Sequence, residues 1–147
     1  MNDNTSTPEI VLLYCPRTIS AGTDPSPSWL SKHASGANVR PASIPCGSAV
    51  QVPHLLKILE DGADAVVVLT CGDEVCQSLT GSARAEKRVA YARHLLDGFG
   101  LGADRLGIHH GNNLSDVDLV DLCRNRAVAV ASLGPHPMKI RLKETTA

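Results

Sequence analysis

The stretch that most constrains the fold is Ala65-Val66-Val67-Val68-Leu69-Thr70-Cys71. An unbroken β-branched and aliphatic run of this length reads as a strand buried on both faces. Strands of that kind belong to parallel sheets covered by helices on both sides. The run ends on Cys71. Gly72-Asp73-Glu74-Val75 follows as an irregular acidic loop and returns to Cys76. Two thiols therefore stand at the carboxyl end of a central strand, where open α/β sheets bind their ligands.

The rest of the chain supplies partners for that strand. Glu9 to Cys15 reads as a first strand, stopped by Pro16. Arg17 to Pro27 is loop, and Ser28 is placed to cap a short helix through Trp29, Leu30 and His33. Asn38 to Ile44 reads as a second strand, stopped by Pro45-Cys46-Gly47. Ser48 is expected to cap a helix carrying Val52, Leu55, Leu56 and Leu59, closed by Asp61-Gly62. Ala83 to Phe99 reads as the longest helix, with Val89, Ala92, Leu95, Leu96 and Phe99 as its apolar stripe. Arg105 to His110 reads as a short strand. Ser115 caps a helix through Val117, Val120, Leu122 and Cys123, and Ala127 to Leu133 reads as a last strand stopped by Gly134-Pro135.

This alternation predicts an α/β protein, a single three-layer domain with a mainly parallel sheet of about five strands. Right-handed crossovers favour the flavodoxin-like order 2-1-3-4-5. Residues 9–134 form the expected domain, with 1–8 and 135–147 as tails.

Composition excludes several classes of function. The net charge is −1, so no electrostatic footprint for nucleic acid is present. No apolar run approaches the roughly 20 residues of a membrane span. Met1 to Pro8 lacks the basic start and apolar stretch of a signal peptide, so a cytoplasmic location is expected. Five cysteines without an export signal argue against a disulfide framework and for metal binding or thiol chemistry. Tyr14, Trp29, Tyr91 and Phe99 are the only aromatic rings, which weakens readings that stack a flavin or a nucleobase.

Under the expected strand order, Cys46, Cys15 and Cys71 end three neighbouring strands, and Cys76 loops back to the same edge. Adjacent strands lie about 4.8 Å apart. The three strand-end thiols should therefore share a patch roughly 10 Å across. Such a soft donor set selects iron–sulfur clusters or zinc. A lone cysteine after a strand is more often a small buried hydrophobe; Cys123, on a helix among apolar neighbours, is read that way. Around the patch, the amides near Gly47 and Gly72 and the hydroxyls of Thr18 and Thr70 are expected to donate toward sulfur. Asp73 and Glu74 add negative charge. Arg84, Lys87 and Arg88 open the long helix beside it, most simply as a solvated face. His109 and His110 fall at a neighbouring strand end, while His54 and His94 belong on helix surfaces. Thr18 to Thr23 is a weak phosphate-loop pattern of the flavodoxin kind. No Walker or dinucleotide glycine pattern is present.

The block Gly62-Ala63-Asp64 through Cys71 and Cys76, then Gly81 and Ala85-Glu86-Lys87-Arg88-Val89, resembles the delta subunit of methyl-viologen-reducing hydrogenase. The likeness extends back through Ile44-Pro45-Cys46-Gly47 to the strand ending in Cys15. It implies a subunit holding one [2Fe–2S] cluster through Cys15, Cys46, Cys71 and Cys76. Such a subunit would relay electrons between a hydrogenase- or dehydrogenase-type donor and a flavin-containing subunit of the heterodisulfide-reductase-A kind. Where the family carries further cysteines, this chain has Tyr14 and Thr18, which leaves four candidates and no spare. Two other readings remain open: a non-redox adaptor with structural zinc or no metal, and a flavodoxin-like FMN binder.

Overall fold

The computed structural model describes residues 7–23, 25–34, 36–71 and 81–134. Strand β1 is Glu9–Tyr14, helix α1 Pro27–His33, β2 Asn38–Ser43, α2 Val52–Glu60, β3 Ala65–Cys71, α3 Gly81–Gly98, β4 Leu106–Gly111 and α4 Asp116–Ala131. Short 3-10 turns span Pro16–Thr18, Gly47–Ala49 and Ala103–Arg105. The four strands form one sheet in the order β2-β1-β3-β4, with every pairing parallel. For these strands the order is the one that right-handed crossovers favour.

Every residue of β3 is buried, as its unbroken apolar run requires. Alternate side chains feed two cores. Ile10, Leu12, Val67 and Leu69 pack with α1 and α4, while Leu13, Val66, Val68 and Leu106 pack with α2 and α3. Helices therefore cover both faces, and the layers number three.

Local signals explain most of the boundaries. α4 opens on a capping box: the Ser115 hydroxyl accepts from the Asp118 amide, and the Asp118 carboxylate accepts from the Ser115 amide. Gly62 closes α2 with φ +118°, a conformation that favours glycine. α1 is capped by Ser26, two residues before Ser28, with Pro27 at its first position. α2 starts after Gln51, because Gly47–Ala49 forms a separate 3-10 turn where a Ser48 cap was expected. Among the stripe residues of α3, Val89, Ala92 and Leu96 are buried, but Phe99 lies past the helix and is 66% exposed.

The fifth strand expected over Ala127–Leu133 is not there. That segment is mostly the last turns of α4. In a strand, Val128 and Val130 would share a face. Here Val128 is 70% exposed and Val130 only 2%. Leu119, Val120, Cys123, Ala127 and Val130 are buried at steps of one, three and four, the helical period. Cys123 is fully buried among them, and burial pushes its thiol up to about 12. No described helix is long and apolar enough to cross a membrane.

Candidate metal centre

β1 and β3 deliver their last side chains to one edge. Cys15 follows β1 directly and Cys71 is the final residue of β3. The two strands are parallel neighbours, with Tyr14 opposite Leu69, and the Cys15 amide donates to Leu69 O at 3.1 Å. The Cys15 and Cys71 sulfurs stand 3.7 Å apart, and both residues are buried. Half-buried Cys46, three residues beyond β2, packs against the pair. The Cys15 thiol also points at the Pro45 carbonyl, 3.9 Å away. The structure thus brings Cys15, Cys46 and Cys71 together. Cys76, like Gly72, Asp73 and Glu74, lies outside the described residues.

Two walls enclose the thiols. On the α2/α3 side, the turn Gly47–Ala49 presses against the start of α3. A Cβ on Gly47 would stand 2.8 Å from Gly81 O and 3.0 Å from Thr70 Cγ2, so only glycine admits this approach. Ser82 donates its hydroxyl to the Cys71 carbonyl. Arg88 reaches back to Ser48 O at 2.7 Å and Val50 O at 2.8 Å, pinning the turn that follows Cys46. A solvated face was the simplest reading of Arg88; its guanidinium instead holds the wall in place. The amino end of α3 therefore abuts the thiol edge, and its partial positive charge favours negative charge there.

On the α1/α4 side, the loop after β1 is stitched to the loop after β4. Leu114 N donates to Thr18 O and Ser20 N to Leu114 O, both at 2.8 Å, so Ile19 and Leu114 form a parallel bridge. The bridge passes the end of β3, which lies between β1 and β4. It also bears on the phosphate-loop reading. The amides of Thr18, Ser20 and Thr23 already donate to Cys15 O, Leu114 O and Ser20 O, and the Ser20 and Thr23 hydroxyls bond each other. Those donors are committed within the protein.

The hydroxyls expected to face sulfur face elsewhere. Thr18 Oγ1 donates to the Cys15 carbonyl at 2.7 Å. Thr70 Oγ1 lies 2.9 Å from His110 Nδ1, whose Nε2 is 3.4 Å from a Glu86 carboxylate oxygen. His109 projects to the opposite face, where burial first, then Arg126 and His110, lower its pKa below the ordinary 6.5.

Among the described residues, no group of three or more His, Cys, Asp or Glu side chains is arranged to hold a metal ion unaided. The fit of a soft metal rests on the thiol pair. Two sulfurs on one tetrahedral metal at about 2.3 Å stand roughly 3.8 Å apart. The 3.7 Å separation of Cys15 and Cys71 matches that spacing without rearrangement. Thiols in a water-poor pocket suit iron–sulfur or zinc chemistry rather than hard cations.

Known proteins bear on which of these applies. Residues 10–134 match the family described as methyl-viologen-reducing hydrogenase, delta subunit. A relative from Methanocaldococcus jannaschii, named as an iron-sulfur subunit of F420-non-reducing hydrogenase, is 33% identical over 103 residues, covering 70% of this chain and 77% of the relative. Its counterparts from Methanococcus maripaludis, with the same coverage, and Methanopyrus kandleri are 30% and 27% identical; the latter match covers 67% of this chain and 75% of the relative. The match takes in all four strands and the three gathered cysteines, and the chain belongs to the methyl-viologen-reducing hydrogenase delta subunit family.

Proposed function

We propose that this chain is the electron-carrying subunit of a larger oxidoreductase, with Cys15, Cys46, Cys71 and Cys76 holding a [2Fe–2S] cluster. The observation that carries the reading is the convergence of Cys15, Cys46 and Cys71 at one buried edge, with two sulfurs at the spacing of a ligand pair. The iron–sulfur designation of the relatives supports it. When bound, such a cluster stores and releases one electron at a time.

The chain's own residues make that role feasible. Cys15 and Cys71 sit where water is excluded, and a dry, fixed pocket keeps reorganisation small. Gly47, Ser82 and Arg88 hold the backbone that carries the thiols. No acid, base or nucleophile is required of a carrier. In this reading the protein works in the cytoplasm. It takes electrons from a hydrogenase- or dehydrogenase-type module and passes them to a flavoprotein subunit of the heterodisulfide-reductase-A kind.

Anaerobic purification tests the proposal, with iron and acid-labile sulfide assays read beside the EPR spectrum of the reduced protein. About two irons and two sulfides per chain, with a signal on reduction, are expected. Cys71→Ala and Cys76→Ala should each remove the spectrum. A folded protein that holds zinc, or no metal, would overturn the redox role in favour of an adaptor. That second reading has its own support, since 3.7 Å is equally an ordinary contact between two protonated thiols.

A further inference from the structure

The edge strand β4 supports an inference independent of the thiol site. The sheet ends at β4, and among the described residues no strand pairs with its outer side. The segment expected to do so, Ala127–Leu133, belongs mostly to α4. Open edges recruit other chains unless they are blunted.

Two arginines straddle the start of this edge from opposite faces. Arg93 of α3 donates to Leu106 O at 2.5 Å and lies 3.9 Å from the Asp104 carboxylate. Arg126 of α4 lies across Gly107, filling the space a Cβ would occupy, and donates to Asp104 O at 3.0 Å. Its Nε is buried without an acceptor among the described residues. The two guanidiniums repel one another and share a single carboxylate, Asp104. Further along, Ile108, His109 and Gly111 are partly exposed and His110 is exposed. The edge thus offers strand-pairing groups from Ile108 onward, with two guanidiniums against one carboxylate at its start and the Glu86 carboxylate farther along, beside His110.

We propose that the outer edge of β4 is a strand-addition site whose occupant is an extended acidic segment of a partner polypeptide, with carboxylates meeting Arg93 and Arg126. Main-chain pairing would supply affinity, and the arginines would select for charge. The chain's own sequence after Gly134 carries Lys139, Arg141 and Lys143, the same sign as the arginines.

The test uses the full-length protein and a fluorescent peptide of about ten residues alternating Glu and Val, with a Lys–Val peptide as control. Amide hydrogen exchange is followed in parallel. The acidic peptide should bind and slow exchange across Ile108–Gly111, and the basic one should not. Arg93→Gln and Arg126→Gln should each weaken acidic-peptide binding about tenfold or more, with exchange in β3 confirming that the sheet is intact. Equal binding of both peptides would overturn the proposal, as would binding that leaves β4 exchange unchanged or no binding at about 1 mM. Inorganic phosphate that binds the arginines while the peptide does not would reduce the feature to an anion site. Slow exchange of β4 before any peptide is added would give the edge to another occupant. Truncation after Gly134 and dilution would then distinguish the chain's own tail from a second copy.

Discussion

At the amino end of the strands, Arg105 is 1% exposed. It donates to Leu101 O at 2.9 Å, Asp64 O at 3.1 Å and Gly134 O at 2.9 Å. Asp64 is buried beside it and takes the Glu9 amide at 2.8 Å. At the carboxyl end, Cys15 and Cys71 are buried almost as deeply, but as groups that are neutral when protonated and bond weakly. A buried charge must be fully matched, and here the matching fastens β3, the start of β4 and the end of α4 together. Buried thiols make no such demand, so that end is held by its walls. One end of the sheet is a lock, and the other a socket.

The contrast is most easily broken at the lock. Arg105→Met should cost about 3–5 kcal/mol, because three carbonyls lose their donor and the Asp64 carboxylate loses the positive charge beside it. Urea unfolding should show a lower midpoint at unchanged slope, and Arg105→Lys should recover little, since one ammonium cannot reach all three carbonyls. A loss below about 1 kcal/mol would mean that water replaces the guanidinium and that the two ends are alike.

Gly47→Ala probes the socket wall. Its Cβ would meet the Gly81 backbone, which cannot rotate away, so about 1–3 kcal/mol is expected. Metal content, measured on the same sample, should fall as the wall shifts. Cys71→Ala sharpens the comparison from the other side. In metal-free protein it should cost only about 1 kcal/mol, while removing all bound iron from protein prepared anaerobically. A large loss of stability without metal would make Cys71 part of the lock.

The smallest expected effect is a pH dependence. Burial, Arg126 and His110 hold His109 below its ordinary 6.5 in the folded protein. The unfolded chain therefore binds the proton first as pH falls. Stability from this group is complete above about 6.5 and declines below it, until the folded pKa is passed. Replacing His109 with Gln should flatten the stability profile over that acidic window. An unchanged slope would place the titration elsewhere.

Sequence and structure agree where one residue type admits one environment. β3 was legible because an all-apolar β-branched run fits only a strand covered on both faces. α4 was legible at its start because Ser115 and Asp118 make a reciprocal cap. Its end was misread because Ala127-Val128-Ala129-Val130 alternates like a strand. The better signal was the lack of any glycine or proline between Ser115 and Gly134. The cysteine gathering followed from strand order, and the structure bears it out for Cys15, Cys46 and Cys71. The roles of Arg88, Arg105 and Arg126 could not be read. Each guanidinium serves at least one carbonyl far away in sequence, and local pattern carries no trace of such a partner. Gly47 hid for the same reason, since it is small for the sake of Gly81.

The bridge between Ile19 and Leu114 has a consequence for the order in which the protein assembles. Its partners are roughly 95 residues apart and lie on either side of β3, so they cannot meet until β3 has been laid between β1 and β4. Closing the thiol pocket is therefore a late event on the folding path, after the sheet is complete. A chain still emerging from synthesis presents Cys15, Cys46 and Cys71 with one wall missing, and if the chain holds the proposed cluster, that interval would give it its widest entrance.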